Sequence, residues 1–92
     1  MFILLLHYES GTLDELDRML DEHYEYVDRH MSAGTFLLTA RRVPRTGGAI
    51  LATGVDRARI EEIVAEDPFQ RSGAARYEII EIEPTRSALQ LP

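Results

Sequence analysis

The chain opens on an almost uninterrupted apolar run, Met1 to Tyr8 (MFILLLHY), of the length of one strand. A run of this kind belongs to a strand covered on both faces, so it predicts a central strand. Gly11 ends it, and Thr12-Leu13-Asp14-Glu15 has the form of a capping box at a helix start. From Leu13 to about Ser32, the apolar residues Leu13, Leu16, Leu20, Val27 and Met31 recur at helical spacings. Asp14, Asp17, Asp21, Glu25 and Asp28 fall elsewhere on the wheel. This predicts one amphipathic helix stopped by Gly34. Thr35 to Val43 predicts a second strand, Pro44-Arg45-Thr46-Gly47-Gly48 a hairpin turn, and Ala49 to Thr53 a third strand antiparallel to it. Asp56 is placed to cap a second helix from Arg57 to about Glu66, with Ile60, Ile63 and Val64 inward. Asp67-Pro68 ends that helix, because the residue before a proline is driven out of helical geometry. Arg76 to Glu83 predicts the last strand, whose Tyr77/Ile79 and Ile80/Ile82 pairs put apolar residues on both faces and point to a bulge or two-sided burial.

The order β-α-β-β-α-β predicts an α+β fold of ferredoxin-like type, a four-stranded antiparallel sheet with both helices on one face. A single domain over residues 1–92 is expected, with a core of about 1–84 and a tail, 85–92, that is ordered only against a partner. In a chain of 92 residues nothing is left to cover the second face of the sheet. A domain of this size buries only about 60 to 65% of its unfolded surface, so sheet-to-sheet pairing into a homodimer is the expected cover. The longest apolar run, Phe2 to Leu6, is far short of the roughly 20 residues that span a bilayer, and no leader pattern surrounds it. A cytoplasmic protein with no membrane partner is expected.

Composition narrows the chemistry. All ten basic residues are arginine, against 16 acidic residues for a net charge of −6, and the chain has no Lys, Cys, Trp or Asn. The missing lysine excludes Schiff-base chemistry and a Walker-type phosphate loop. The missing cysteine excludes a thiolate nucleophile, a disulfide and thiolate-held metals. An acidic chain with scattered arginines, apart from Arg41, Arg42 and Arg45, is also a poor match to a nucleic-acid partner.

Three histidines carry the remaining acid/base capacity. His23 lies three residues after Leu20 and four before Val27, on the apolar stripe of the first helix, where a ring held by a carboxylate is suited to proton transfer. The plainer role is a packed histidine bonded to a backbone carbonyl. Asp67 is the candidate carboxylate partner, with an ordinary turn-opening role as its alternative. His30, two turns beyond His23, is poorly spaced to share a metal with it and reads as structural or interfacial. His7 is expected on the inner surface of the sheet with Ile3 and Leu5, as a packing residue. No metal is implied. Arg41, Arg42 and Arg45 surround the hairpin, where a solvated edge is the plainer role and a clamp on a carboxylate or phenolate the alternative for one of them. Gly47-Gly48 is a turn signal, not a phosphate cradle, since no helix follows.

Several segments together resemble the YciI-like (YCII-related) family. These are His23 followed eleven residues later by Gly34 in HYEYVDRHMSAGTFLL, the hairpin VPRTGGAILA (Val43 to Ala52), and Asp67-Pro68-Phe69 followed by Gly73 and a closing strand that ends in a proline. The resemblance implies a dimeric α+β barrel built from ferredoxin-like subunits, with a pocket holding the helix histidine His23 and the aspartate Asp67, bordered by Thr39, Arg41, Pro68 and Phe69. Where the family commonly carries Ser-Gly-Pro, this chain has Thr39-Ala40-Arg41, which keeps a hydroxyl, removes the Gly-Pro corner and adds a cation. The resemblance implies a lyase- or isomerase-type enzyme that needs no cofactor. In it Asp67 orients His23, the imidazole moves a proton on a small anionic or phenolic molecule, and Arg41 or Thr39 holds an oxygen of that molecule. The alternative is a non-catalytic small-molecule-binding or sensory dimer using the same pocket.

Overall fold

The computed structural model describes all of residues 1–92. Its elements are β1 (Phe2–Tyr8), α1 (Leu13–Arg18), α2 (Leu20–Ser32), β2 (Phe36–Arg41), β3 (Gly47–Ala52), α3 (Arg57–Ala65), α4 (Pro68–Arg71) and β4 (Ala75–Glu81). The strands form one antiparallel sheet in the order β2-β3-β1-β4. β1 and β2, joined through helices, are split by β3, and this is the ferredoxin-like arrangement. The apolar run places β1 in the interior of the sheet, paired on both sides, as its composition predicts.

The register decides which face each side chain takes. Phe2, Leu4 and Leu6 alternate with Ile3, Leu5 and His7, and it is the first set that is buried under the helices. Opposite them on the same face lie Ala52, Ile50 and Gly48 of β3 and Ile79 and Tyr77 of β4. His7 therefore does not sit on the inner surface as the sequence suggested. It shares the outer face with Ile3 and Leu5, because one step along a strand reverses every side chain. There Arg42 Nη1 donates to His7 Nδ1 at 3.1 Å and His7 Nε2 donates to Glu78 Oε1 at 2.9 Å. The rest of that face is largely aliphatic, with Leu38 and Ile80 exposed and Ile3, Leu5 and Leu51 half-buried. No helix of this chain covers it.

The helical face holds a core of Phe2, Leu4, Tyr26, Val27, Phe36, Ile50, Ile60 and Ile63, continued at one end by Leu6, Leu16, Phe69, Ala74 and Ala75. Several elements depart from expectation. The predicted single helix is two, joined at Met19, whose φ of −102° and ψ of 4° leave helical geometry. Thr12 stands at the first helix start without capping it. Its hydroxyl lies 2.7 Å from the Glu9 carbonyl and 3.0 Å from that of Ala74, and so ties the chain leaving β1 to the chain entering β4. β3 starts at Gly47 rather than Ala49, because Gly47 and Gly48 pair with His7 and Leu6, and position 47 takes only glycine, since a Cβ there would run into the Leu6 carbonyl oxygen. β4 keeps a regular register with β1, so its outward Ile80 follows from strand alternation and not from a bulge, and the irregular register lies in β2, between Phe36 and Leu38. No helix or strand follows Glu81, and no helix is long and apolar enough to cross a membrane.

Candidate active site

Asp67 is the hinge of the site. It follows α3, where Glu66 serves as the C-cap, and itself caps α4, a helical turn that Pro68 opens rather than prevents. Proline forbids helix at the residue before it but suits the first helical position, so Asp67-Pro68 both ends α3 and starts α4. The Asp67 side chain has no exposed surface. Its Oδ1 accepts from the Phe69 backbone N–H at 2.9 Å and from His23 Nδ1 at 2.9 Å, and its Oδ2 accepts from the Tyr77 hydroxyl at 2.6 Å. The Phe69 N–H and the Tyr77 hydroxyl both donate to this buried side chain, one to each oxygen, which is the bonding pattern of a carboxylate, an acceptor only. Nδ1 of His23 therefore carries the ring proton, and Nε2 of the neutral ring keeps its lone pair.

His23 comes from α2, as the apolar stripe predicts, and its side chain is 12% exposed. Its ring lies flat on Phe69, with centroids 4.0 Å apart and planes 2° from parallel. The hydrogen bond and the stacking partner together fix both the rotation and the tilt of the imidazole. Nε2 has no partner within the protein, and the ring lines a cavity of about 320 Å³ between α2 and the β1-β3-β2 half of the sheet. Thr39, Arg41 and Phe69 line the same cavity. Pro68 does not. It is buried at the start of α4 and borders a shallow polar groove on the far side of α2.

Two further residues, Tyr77 and Arg45, complete the site. Tyr77 fixes Asp67 from β4, and burial pushes its hydroxyl well above the ordinary tyrosine value, with the neighbouring Tyr26 and Asp67 adding to the shift. Strand alternation places Tyr77 on the helix side with Ile79, and that was its available signal. The Tyr26 hydroxyl is also pushed upward by burial; the neighbouring Tyr77 hydroxyl offsets part of this and the Asp67 charge adds to it, though the hydroxyl reaches full hydrogen-bond geometry with no group. Arg45 is the other. It leaves the β2–β3 turn, lines the cavity and donates through Nη2 to Asp17 Oδ1 at 2.6 Å.

His30, read as structural, is buried and donates through Nε2 to Glu66 Oε1 at 2.9 Å, while Arg29 donates to the same oxygen at 3.0 Å. Burial alone raises the Glu66 carboxyl, but the bonds from His30 and Arg29 outweigh it and leave Glu66 below the usual carboxylate value. This cluster lies outside the cavity.

The family model of the YCII-related domain matches residues 1–83. Among solved structures, the chain is similar to the 5-chloro-2-hydroxyhydroquinone dehydrochlorinase of Burkholderia phenoliruptrix AC1100, determined in complex with 2,5-dihydroxybenzoquinone. The TM-score is 0.78 at 13% identity, over 89% of this chain and 92% of that one. At that identity the likeness is one of fold. No curated protein matches the sequence.

Proposed function

The chain belongs to the YCII-related domain family, and from that premise we propose that it is a small-molecule enzyme of lyase or isomerase type in which His23 moves a proton and Asp67 holds it in place. One observation carries this reading: a buried carboxylate with three donors pins the imidazole by Nδ1 and leaves Nε2 for the cavity. In the neutral ring Nε2 takes a proton from a bound molecule, and the imidazolium formed is stabilised by Asp67 at 2.9 Å before it returns the proton elsewhere on that molecule. Arg41 and the Thr39 hydroxyl, on the β2 wall, are suited to hold an oxygen that gains negative charge as the proton leaves. The fold neighbour eliminates chloride from a hydroxylated ring, as its name states, and such a reaction also needs a proton moved on a small oxygenated molecule.

The test is solvent-deuterium exchange into a panel of enolisable acids and phenols, followed by NMR. Wild type should promote exchange into at least one compound, and His23→Gln should reduce the rate by about 10² to 10⁴, the usual contribution of general acid/base catalysis. Equal rates in the two proteins defeat the proposal. Saturable binding with no exchange into any compound favours the non-catalytic binding reading.

The same proposal includes a homodimer joined through the outer sheet face. Its support is the aliphatic surface made by Ile3, Leu5, Leu38, Leu51 and Ile80, which nothing in one copy of the chain covers. Leu51→Asp should convert a dimer to a monomer in light scattering. A wild type that is monomeric at micromolar concentration contradicts this part of the proposal.

A further inference from the structure

The floor of the cavity is sheet backbone. Ala40 and Ala49 line it, yet they pair with each other across β2 and β3 on the outer side of the sheet, where Ala49 also meets Leu5. They reach the cavity through main-chain atoms, since a strand side chain points to one face only. What bares the main chain there is Gly48, which the register places on the helix side between Arg41 of β2 and Leu6 of β1. β3 is flanked by a strand on each side, but Gly48 keeps part of its surface exposed to the cavity. The backbone does not require glycine at this position. Its φ lies outside the left-handed region. A Cβ would meet the Ala40 carbonyl oxygen at 3.1 Å and the Leu6 Cβ at 3.9 Å, so a small shift admits a methyl, in contrast to Gly47, where the Leu6 carbonyl is in the way. The missing side chain at 48 is space left to the cavity.

The row that contains Gly48 also joins the two chemical ends of the site. Arg41, Gly48, Leu6 and Tyr77 are successive partners across the four strands on the helix side, spaced by about 4.8 Å per strand. At one end Tyr77 holds Asp67, which holds His23. At the other stands Arg41, which forms no ion pair with any carboxylate of the chain. On the reading of this cavity as a substrate site, we propose that Gly48 is a specificity-determining residue: its bare main chain seats the ring of a single-ring organic anion whose charge is held by Arg41. No Asp or Glu lines the cavity to repel that charge. A cavity of about 150 Å³ is enough for benzene, and this one, of about 320 Å³, has room for one ring with its polar substituents. The opposite wall comes from α2, with the rings of His23 and Tyr24 beside Val27, and a flat ring suits both that wall and the flat main chain below it. A branched side chain at 48 would stand where the ring lies.

The experiment titrates two fluorinated anions, 4-fluorobenzoate and trifluoroacetate, into the protein and follows binding by ¹⁹F NMR. The first has a ring and the second has none. Wild type should bind 4-fluorobenzoate at least about tenfold more tightly, the effect of covering the apolar area of one ring, and the Gly48 and Ala49 amide signals should shift as it binds. Gly48→Val fills the seat. It should cut the preference to within about twofold while binding trifluoroacetate as wild type does, which also shows that the fold is intact. Gly48→Ala should lower the preference by about threefold, and carries the test if the valine variant does not fold. Arg41→Gln should weaken both probes by similar factors and keep the preference. The proposal is overturned if wild type binds the probes equally or binds neither, if Gly48→Val, or Gly48→Ala in its place, keeps the full preference, or if Arg41→Gln leaves both affinities unchanged. None of these readouts needs turnover. A Gly48-dependent preference without His23-dependent deuterium exchange supports the role of Gly48 while defeating the catalytic reading, and exchange with no Gly48-dependent preference does the reverse.

Discussion

Removing single oxygens from two neighbouring tyrosines should have opposite results. Tyr77→Phe deletes the donor of a 2.6 Å bond to Asp67 Oδ2, the one partner that oxygen has, on a side chain with no exposed surface. No water can replace a bond at that depth without opening the core. A hydrogen bond to a buried charge contributes about 1.5 to 3 kcal/mol, and its loss strands the acceptor, so we expect a cost of about 2 to 3 kcal/mol. For a domain of 60 to 100 residues this corresponds to a fall in Tm of roughly 10 to 20 °C. Tyr26→Phe removes a buried hydroxyl that has the Tyr77 hydroxyl beside it but no partner in full hydrogen-bond geometry. Its loss should leave stability within about 0.5 kcal/mol or raise it, since a desolvated and unpaired hydroxyl contributes nothing favourable. The Tyr26 hydroxyl stands near enough to feel Asp67, so the double variant is needed to show the full cost once no hydroxyl can turn towards Oδ2. Urea unfolding at neutral pH, followed by circular dichroism at fixed protein concentration, measures all three. If Tyr77→Phe and Tyr26→Phe destabilise equally, or Tyr77→Phe costs less than about 0.5 kcal/mol, the account of Asp67 as a carboxylate held by three donors is wrong.

Three further outcomes follow from the same structure. Burial raises both Tyr26 and Tyr77 above 10.0, so above that pH the unfolded chain loses protons that the folded one keeps. Stability should be complete below about pH 10 and fall by about 1.4 kcal/mol per pH unit for each tyrosine as pH rises, with Tyr26→Phe halving the slope due to the pair. Glu66 has the opposite sign: its folded value lies below 4.5, so its contribution is complete above about that pH and lost as pH falls through the folded value. Acid titration of stability should show a shallower decline in Glu66→Gln. Gly47→Ala places a methyl against the Leu6 carbonyl, which must move for β1 and β3 to stay paired; we expect a cost of about 3 kcal/mol in urea unfolding, and a near-neutral result would contradict the close approach.

How far the sequence revealed this site depends on what each signal encodes. Periodicity fixes faces, so the apolar stripe placed His23 inward on α2, and the long apolar run placed β1 inside the sheet. Length and order were enough for the ferredoxin-like arrangement, because four strands and two helical crossovers admit few unknotted connections. The face of β1 was not legible, since residues on both sides of the strand are aliphatic, and His7 was assigned to the wrong one. The break at Met19 has no proline or glycine to announce it, and α4 was hidden by reading Asp67-Pro68 as a stop when it is also a start. Tyr77 and Arg45 reach the site by tertiary placement, Tyr77 from the edge strand β4 and Arg45 across to α1. No local pattern marks either contact.

The most direct test of the account is the tautomer of each neutral imidazole, read from ¹⁵N NMR of histidine-labelled protein. His7 and His30 donate to carboxylates through Nε2, whereas His23 donates through Nδ1. The account predicts two rings protonated at Nε2 and one at Nδ1, with the Nδ1 form lost in Asp67→Ala. Three rings protonated at Nε2 in wild type would contradict it, because Nε2 of His23 would then hold the proton that it is required to accept.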